Sequence, residues 1–259
     1  MDRRKFLITG ASFITGSLVG INSFSRVFAS TIHQPVNFDP PRIALIIDDI
    51  GHSFGRARRF LDLNAPITFS ILPLLAKSRY IAEEIHSHGR ELMLHQPMEP
   101  FDSHINPGPG AIYVGDEPDR IIKIIYENLS CISFTKGVNN HMGSRLTACR
   151  RETYETLTAI KKKGLFFVDS RTSSLSTAYQ TAKKLHMPTT YRDVFLDNHI
   201  HEAYILSQLN SLKRKAVKNG HAIGIGHPYP ETARAIKEFL KNIKPHSIQL
   251  VPVSSLIRA

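Results

Sequence analysis

From Arg42 onward the chain alternates between short apolar runs and amphipathic stretches. The run Arg42-Ile43-Ala44-Leu45-Ile46-Ile47-Asp48-Asp49-Ile50-Gly51 sets the theme. Continuous apolar residues, several of them β-branched, lead into two carboxylates and a glycine, the pattern of a strand buried on both faces whose C-terminal end opens into a polar site. Further strands are predicted at residues 67–72, stopped by Pro73, at 91–95, around 137–139, at 165–168, near Thr189, at 221–226 and near 249–253. Between them a helical period predicts helices over 77–88, 116–129, 151–163, 174–185, 202–219 and 231–242, with Gly89, Gly164 and Gly220 as stops. Residues 101–115 hold Pro107, Gly108, Pro109 and Gly110 and are predicted to form a loop over the strand ends.

Strands that alternate with helices call for a parallel sheet with helices outside it, either closed as a barrel or open and doubly wound. Polar clusters follow five of the strands: Asp48/Asp49, His95/Glu99, His141/Arg145, Asp169/Arg171 and His227. A closed barrel gathers these on one face, whereas an open sheet spreads them apart. The expectation is a (β/α) barrel of about seven to eight strands.

The N-terminal residues follow another pattern. A charged start, Asp2-Arg3-Arg4-Lys5, precedes an apolar, small-residue run from Phe6 to Ile21, and Val27-Phe28-Ala29 offers a small-residue cleavage site. The run is too short and too rich in Gly and Ser for a stable membrane span. Arg3-Arg4-Lys5-Phe6-Leu7 resembles the twin-arginine signal. Residues 1–29 are therefore expected to be an export signal read by the twin-arginine machinery, 30–41 a linker and 42–259 the domain, placing the domain in the periplasm. An ordinary secretory signal or an uncleaved anchor is the alternative.

The whole chain of 259 residues has a net charge of +11. Loss of residues 1–29 removes four basic residues and one acidic one, leaving +8. That balance suits anionic surroundings such as cell-wall polymer or lipid headgroups. The basic residues are scattered and no nucleic-acid motif is present, so nucleic acid is not an expected partner. Cys131 and Cys149 are the two cysteines; they can pair in an oxidising compartment or be buried as small apolar residues.

For the candidate chemistry, neighbouring aspartates at a strand end point to opposite sides, so Asp49 can bind a cation while Asp48 stays free to take a proton. The plainer alternative is that one of them caps the next backbone amides. His95 ends a strand with Glu99 four residues on. With Asp49 these make a three-ligand set that leaves a position for water. His141, in Val138-Asn139-Asn140-His141-Met142-Gly143-Ser144-Arg145, is the other candidate for the third ligand. Arg145, Arg171 and Asp193 are candidate substrate-binding residues. His227, between Gly226 and Pro228, is rigidly set for a general acid. Asp169 is expected to orient it, with Asp193 and Asp197 as weaker carboxylates that cap or bridge.

Six ordered motifs, Ile-Ile-Asp-Asp-Ile-Gly, Leu-His-Gln-Pro-Met-Glu-Pro, Val-Asn-Asn-His-Met-Gly-Ser-Arg, Phe-Val-Asp-Ser-Arg-Thr, Arg-Asp-Val-Phe-Leu-Asp and Ile-Gly-His-Pro-Tyr-Pro, resemble the divergent polysaccharide deacetylase family over residue 42 to the C-terminus. The resemblance implies a distorted (β/α) barrel and a divalent metal, usually zinc. It makes Asp48 the base, Asp49 a ligand and His227 the acid, tuned by Asp169. In the related carbohydrate esterases the second motif is a pair of histidines four apart. Here Glu99 stands at the second place, so either Glu99 replaces that ligand or His141 reaches in. The implied function is an exported metal-dependent hydrolase that removes N- or O-acetyl groups from a cell-envelope polysaccharide. A non-catalytic periplasmic glycan- or partner-binding protein on the same barrel, or a metal hydrolase of a different amide or ester, is the alternative.

Overall fold

The computed structural model describes residues 39–244 and 247–257, so the predicted signal and nearly all of the predicted linker lie outside the described residues. The strands are β1 (Arg42–Ile50), β2 (Thr68–Ile71), β3 (Glu91–Met98), β4 (Thr135–Met142), β5 (Phe166–Asp169), β6 (Thr189–Tyr191), β7 (Val194–Phe195), β8 (His221–Gly226) and β9 (Gln249–Leu250). The helices are α1 (Phe54–Leu61), α2 (Ser78–Ser87), α3 (Pro118–Cys131), α4 (Arg150–Lys162), α5 (Ala178–Lys184), α6 (Glu202–Asn219) and α7 (Pro230–Lys241).

All strand pairings are parallel, in the order β6-β5-β4-β3-β2-β1-β8-β7, with β9 beside β1. Strands β6 and β7 stand at opposite ends of that order, yet only Arg192 and Asp193 separate them in the chain. The sheet therefore curls until its two edges approach, giving the distorted (β/α) barrel with an unpaired seam. The link residues hold that seam from both sides. The Arg192 N–H donates to the Asp169 carbonyl at 3.0 Å, and the Asp193 N–H donates to the Ile223 carbonyl of β8 at 2.9 Å.

Strand parity sorts the core into two shells. Ile43, Leu45 and Ile47 of β1, Leu92 and Leu94 of β3, and Val138 of β4 face the helices, where Ile205, Leu209, Leu212 and Ala216 of α6 meet the sheet at helical spacing. The alternate residues, Ala44 and Ile46 of β1, Met93 of β3, Phe166 and Val168 of β5, and Ile223 and Ile225 of β8, fill the barrel interior with Val251, Val253 and Leu256. Each fully buried Ile or Val contributes about 1.5–3 kcal/mol. Gly137 makes room inside, because a Cβ there would overlap the Phe166 ring.

Parity also aims the chemistry. Two residues beyond the last interior apolar position of each strand come Asp48 after Ile46, His95 after Met93 and His227 after Ile225. Several local features differ from the expectation; among them, helix α1, β7 and the 3-10 turn Val253–Leu256 were not expected, and β3 runs three residues past His95.

Candidate metal centre and catalytic groups

Asp48 and Asp49 do not point to opposite sides as simple alternation requires. The β1–β2 register shifts between Ile47 and Ile50, and Asp49 has φ 55°, so a bulge turns the second carboxylate back into the mouth. Both carboxylates then reach one imidazole. His95 Nε2 lies 3.1 Å from Asp49 Oδ1 and 3.6 Å from Asp48 Oδ2.

His141, at the end of β4 and next to β3, completes a triangle. Its Nδ1 is 3.0 Å from Asp49 Oδ1 and 3.1 Å from His95 Nε2. Asp49, His95 and His141 thus offer three metal-ligand atoms, all within 4.8 Å of one another. Asp49 Oδ1 is buried yet makes no hydrogen bond, so these approaches are of the kind expected between ligands that share a cation.

Asn139 fixes the required tautomer. Its amide nitrogen donates to Asp48 Oδ1 at 2.9 Å, so its oxygen faces His95 and accepts from Nδ1 at 2.8 Å, with Ser70 donating to the same oxygen. The His95 proton therefore sits on Nδ1, and Nε2 presents a lone pair to the triangle.

The electrostatics follow from burial and neighbours. Burial pushes the Asp48 carboxyl above the usual range, with His95, His227 and Asn139 opposing it. Burial acts the same way on Asp49, but the His141 and His95 imidazoles beside it hold it well below the usual range. For His95, burial opposes the charged form, but Asp48 and Asp49 outweigh it and raise its pKa. A cation between these groups would meet the same demand for positive charge.

On the other side of the mouth stands His227. Its Nδ1 is 2.9 Å from Asp197 Oδ1, its backbone N–H donates to Asp197 Oδ2 at 2.6 Å, and Thr232 donates to that oxygen at 2.7 Å. Burial favours the neutral ring, but Asp197 and, less strongly, Asp49 and Asp48 raise its pKa to about 9. His227 Nε2 points back to Asp49 Oδ2 at 3.8 Å. The arrangement thus has three ligand atoms flanked by a buried carboxyl and an imidazole held by Asp197.

A family model described as divergent polysaccharide deacetylase matches residues 45–257. The chain belongs to that family. An uncharacterized protein of Haemophilus influenzae is 31% identical over 90% of this chain and 82% of its own length. A solved structure of an uncharacterized protein from Agrobacterium tumefaciens superposes with TM-score 0.80 at 28% identity, over 86% of this chain and 92% of that one. At the level of fold alone, a peptidoglycan N-acetylglucosamine deacetylase (14% identity, TM-score 0.51, 84% of this chain and 88% of that one) and a CE4 family pseudoenzyme from Bacillus anthracis (14%, 0.50, 84% and 66%) share the barrel.

Within this divergent deacetylase barrel, several sequence-predicted residues have other partners. Glu99 lies beyond the end of β3, where its carboxylate accepts from Arg145 Nη1 at 2.7 Å and from the Val114 N–H at 2.7 Å, so it braces the loop over the site and is no part of the ligand triangle. Arg145 is spent on that pair. Asp169 does not orient His227, because its oxygens accept from the Arg171 N–H, the Ser176 hydroxyl and the Tyr179 N–H at 2.8–3.1 Å and so tie up the turn before α5. Asp197 takes the orienting place, on the same parity as Phe195 of β7. Asp193 accepts from the Ile223 N–H at 2.8 Å and helps close the seam. Arg171 remains at the mouth, stacked on Tyr191. Asn139, which was not among the expected site residues, emerges as the link between Asp48 and His95.

Proposed function

We propose that this protein is an exported, metal-dependent hydrolase that removes acetyl groups from a cell-envelope polysaccharide, with Asp48 as general base and His227 as general acid. The observation that carries the reading is the convergence of the ligand triangle, a carboxyl of raised pKa and a carboxylate-oriented imidazole at one barrel mouth. Binding alone gives no reason to combine the three.

Asp49, His95 and His141 would hold a divalent cation, zinc on the strength of its two imidazoles and one carboxylate. Such a cation supplies polarisation of the acyl carbonyl and activation of water. Asp48, 3% exposed and steered by Asn139, takes the proton from the attacking water. His227 is charged at neutral pH and gives its Nε2 proton to the departing amine or alcohol, while Asp197 stabilises the imidazolium it starts from. The products are acetate and a free amino or hydroxyl sugar.

The binding-protein alternative drew on Glu99 standing where the related esterases have histidine; His141 as the third donor weakens that argument. The export reading rests on the Arg3-Arg4-Lys5-Phe6-Leu7 stretch. Acetate release from acetylated cell-wall glycans by zinc-supplemented protein tests the activity. Release that disappears in Asp48→Asn supports the reading; no release from any acetylated amide or ester, with metal bound, would refute it. Cell fractionation of the full chain and of an Arg3→Lys/Arg4→Lys variant tests export by the same standard. Periplasmic recovery of both forms would exclude the twin-arginine route.

A further inference from the structure

Two arginines beside the site lack counter-charges. Among the described residues, arginine ion pairs use Arg58, Arg120, Arg145, Arg151 and Arg234. Arg171 and Arg192 form none, yet both are held in place. Arg192, in the seam link, donates from Nε to the Ser170 carbonyl at 2.6 Å and from Nη2 to the Arg171 carbonyl at 2.8 Å, and its guanidinium lies 4.9 Å over the Phe195 ring. Phe195 packs against His227, with ring centroids 5.1 Å apart. The Arg171 guanidinium stacks 4.5 Å over Tyr191. Each arginine keeps donors to spare.

This arrangement is costly, and among the described residues no ion pair answers it. Arg171 has φ 50°, a left-handed backbone it shares with Asp49 and Met142 at the ends of β1 and β4. Burial and then Arg171 push the Arg192 pKa down, with Asp169, Asp48 and Asp193 opposing from a distance. Neither nearby strand-end carboxylate answers the pair. Asp169 is occupied by the turn before α5 and Asp193 by the Ile223 N–H. An arginine that merely reaches into water has no need of backbone carbonyls and a ring to fix it. Preset planar guanidinium groups match the oxygens of a carboxylate or phosphate.

We infer that Arg171 and Arg192 form an anion subsite beside the acyl-cleaving groups, so that the substrate is a glycan bearing a carboxylate or phosphate on or next to the acylated sugar. The inference rests on the hydrolase reading for its location, but its test is binding and needs no turnover.

The exported chain, loaded with zinc, is titrated calorimetrically with chitotetraose and with the same oligomer carrying C6 carboxylates or C6 phosphates. Wild type is expected to bind one anionic series at least about tenfold more tightly than the neutral one, the scale of one charge-assisted contact. The series preferred names the anion. In Arg171→Gln, which removes the guanidinium stacked on Tyr191, the preference falls to about threefold or less. In Lys237→Gln, which removes the same charge from exposed α7, the preference persists. Equal affinities in wild type, no binding of any series, a preference intact in Arg171→Gln, or an equal loss in Lys237→Gln would each overturn the inference. A preserved preference without acetate release would refute deacetylation and leave the subsite standing.

Discussion

The two ends of the barrel interior are built from the same strands and follow opposite rules. Toward the strand starts, Ala44, Ile46, Met93, Ile223 and Ile225 close over Val251, Val253 and Leu256, with Thr68 as a buried polar exception that accepts from the Val253 N–H and donates to Glu91. Two residues further along the same strands, Asp48, His95 and Asn139 are buried just as deeply, at 3%, 2% and 0% exposure, and are polar. Burial stabilises the first end. At the second it works against charge, and the groups persist because each is bonded to the next. The fold is therefore held from one end, and its candidate catalytic groups stand at the other.

Substitutions two residues apart on β1 should separate these roles. Asp48→Asn should lower turnover by about 10²–10⁴-fold, the scale of a general base, with the thermal midpoint unchanged or raised, since a buried charge is replaced by an isostere that still accepts from Asn139. A large drop in the midpoint would mean that Asp48 is structural. Ile46→Ala should do the reverse, costing about 2–5 kcal/mol in denaturant unfolding while turnover per folded molecule stays within a few-fold. Turnover lost without stability would place Ile46 in the chemistry.

Asp197→Asn should act on pH dependence. The raised pKa of His227, about 9, keeps it an acid at neutral pH, so activity should fall as pH rises through the His227 titration. Losing the Asp197 charge moves that descending limb to lower pH. An unmoved limb would exclude the pair as its origin. The same sign applies to stability: the contribution of His227 is fully present below its ordinary value of 6.5 and is lost as pH rises through about 9. Arg145→Gln should have the smallest effect, below about 1 kcal/mol, because the arginine of its pair with Glu99 is 46% exposed.

Most of the barrel was legible because burial on both faces leaves a strong mark. The apolar run of β1, the helical period of α6 and its Gly220 stop, at φ 82°, could be read directly. Helix α1 was missed because Gly55, Arg56, Arg58 and Arg59 dilute its inner face of Ala57, Phe60 and Leu61. Strand β7 has two residues, too few to show a period. Of the site, Asp48, His95 and His227 stay in parity with an apolar strand, whereas Asp49 comes to the same mouth through a bulge that simple alternation does not predict. Spacing favoured Glu99 as a ligand as much as His141, but β3 continues to Met98 and carries residue 99 past the mouth. Asp169 and Asp197 both follow apolar residues at strand ends. What separates them is the turn before α5, which consumes Asp169, and the backbone approach of His227 to Asp197, neither of which leaves a mark in the sequence.

The most direct test of the account is the metal content of wild type beside His141→Ala and Glu99→Ala, measured by plasma mass spectrometry after zinc loading and dialysis. The ligand triangle predicts about one equivalent in wild type and in Glu99→Ala, and its loss in His141→Ala. Retention in His141→Ala with loss in Glu99→Ala, or no metal in any of the three, would contradict it.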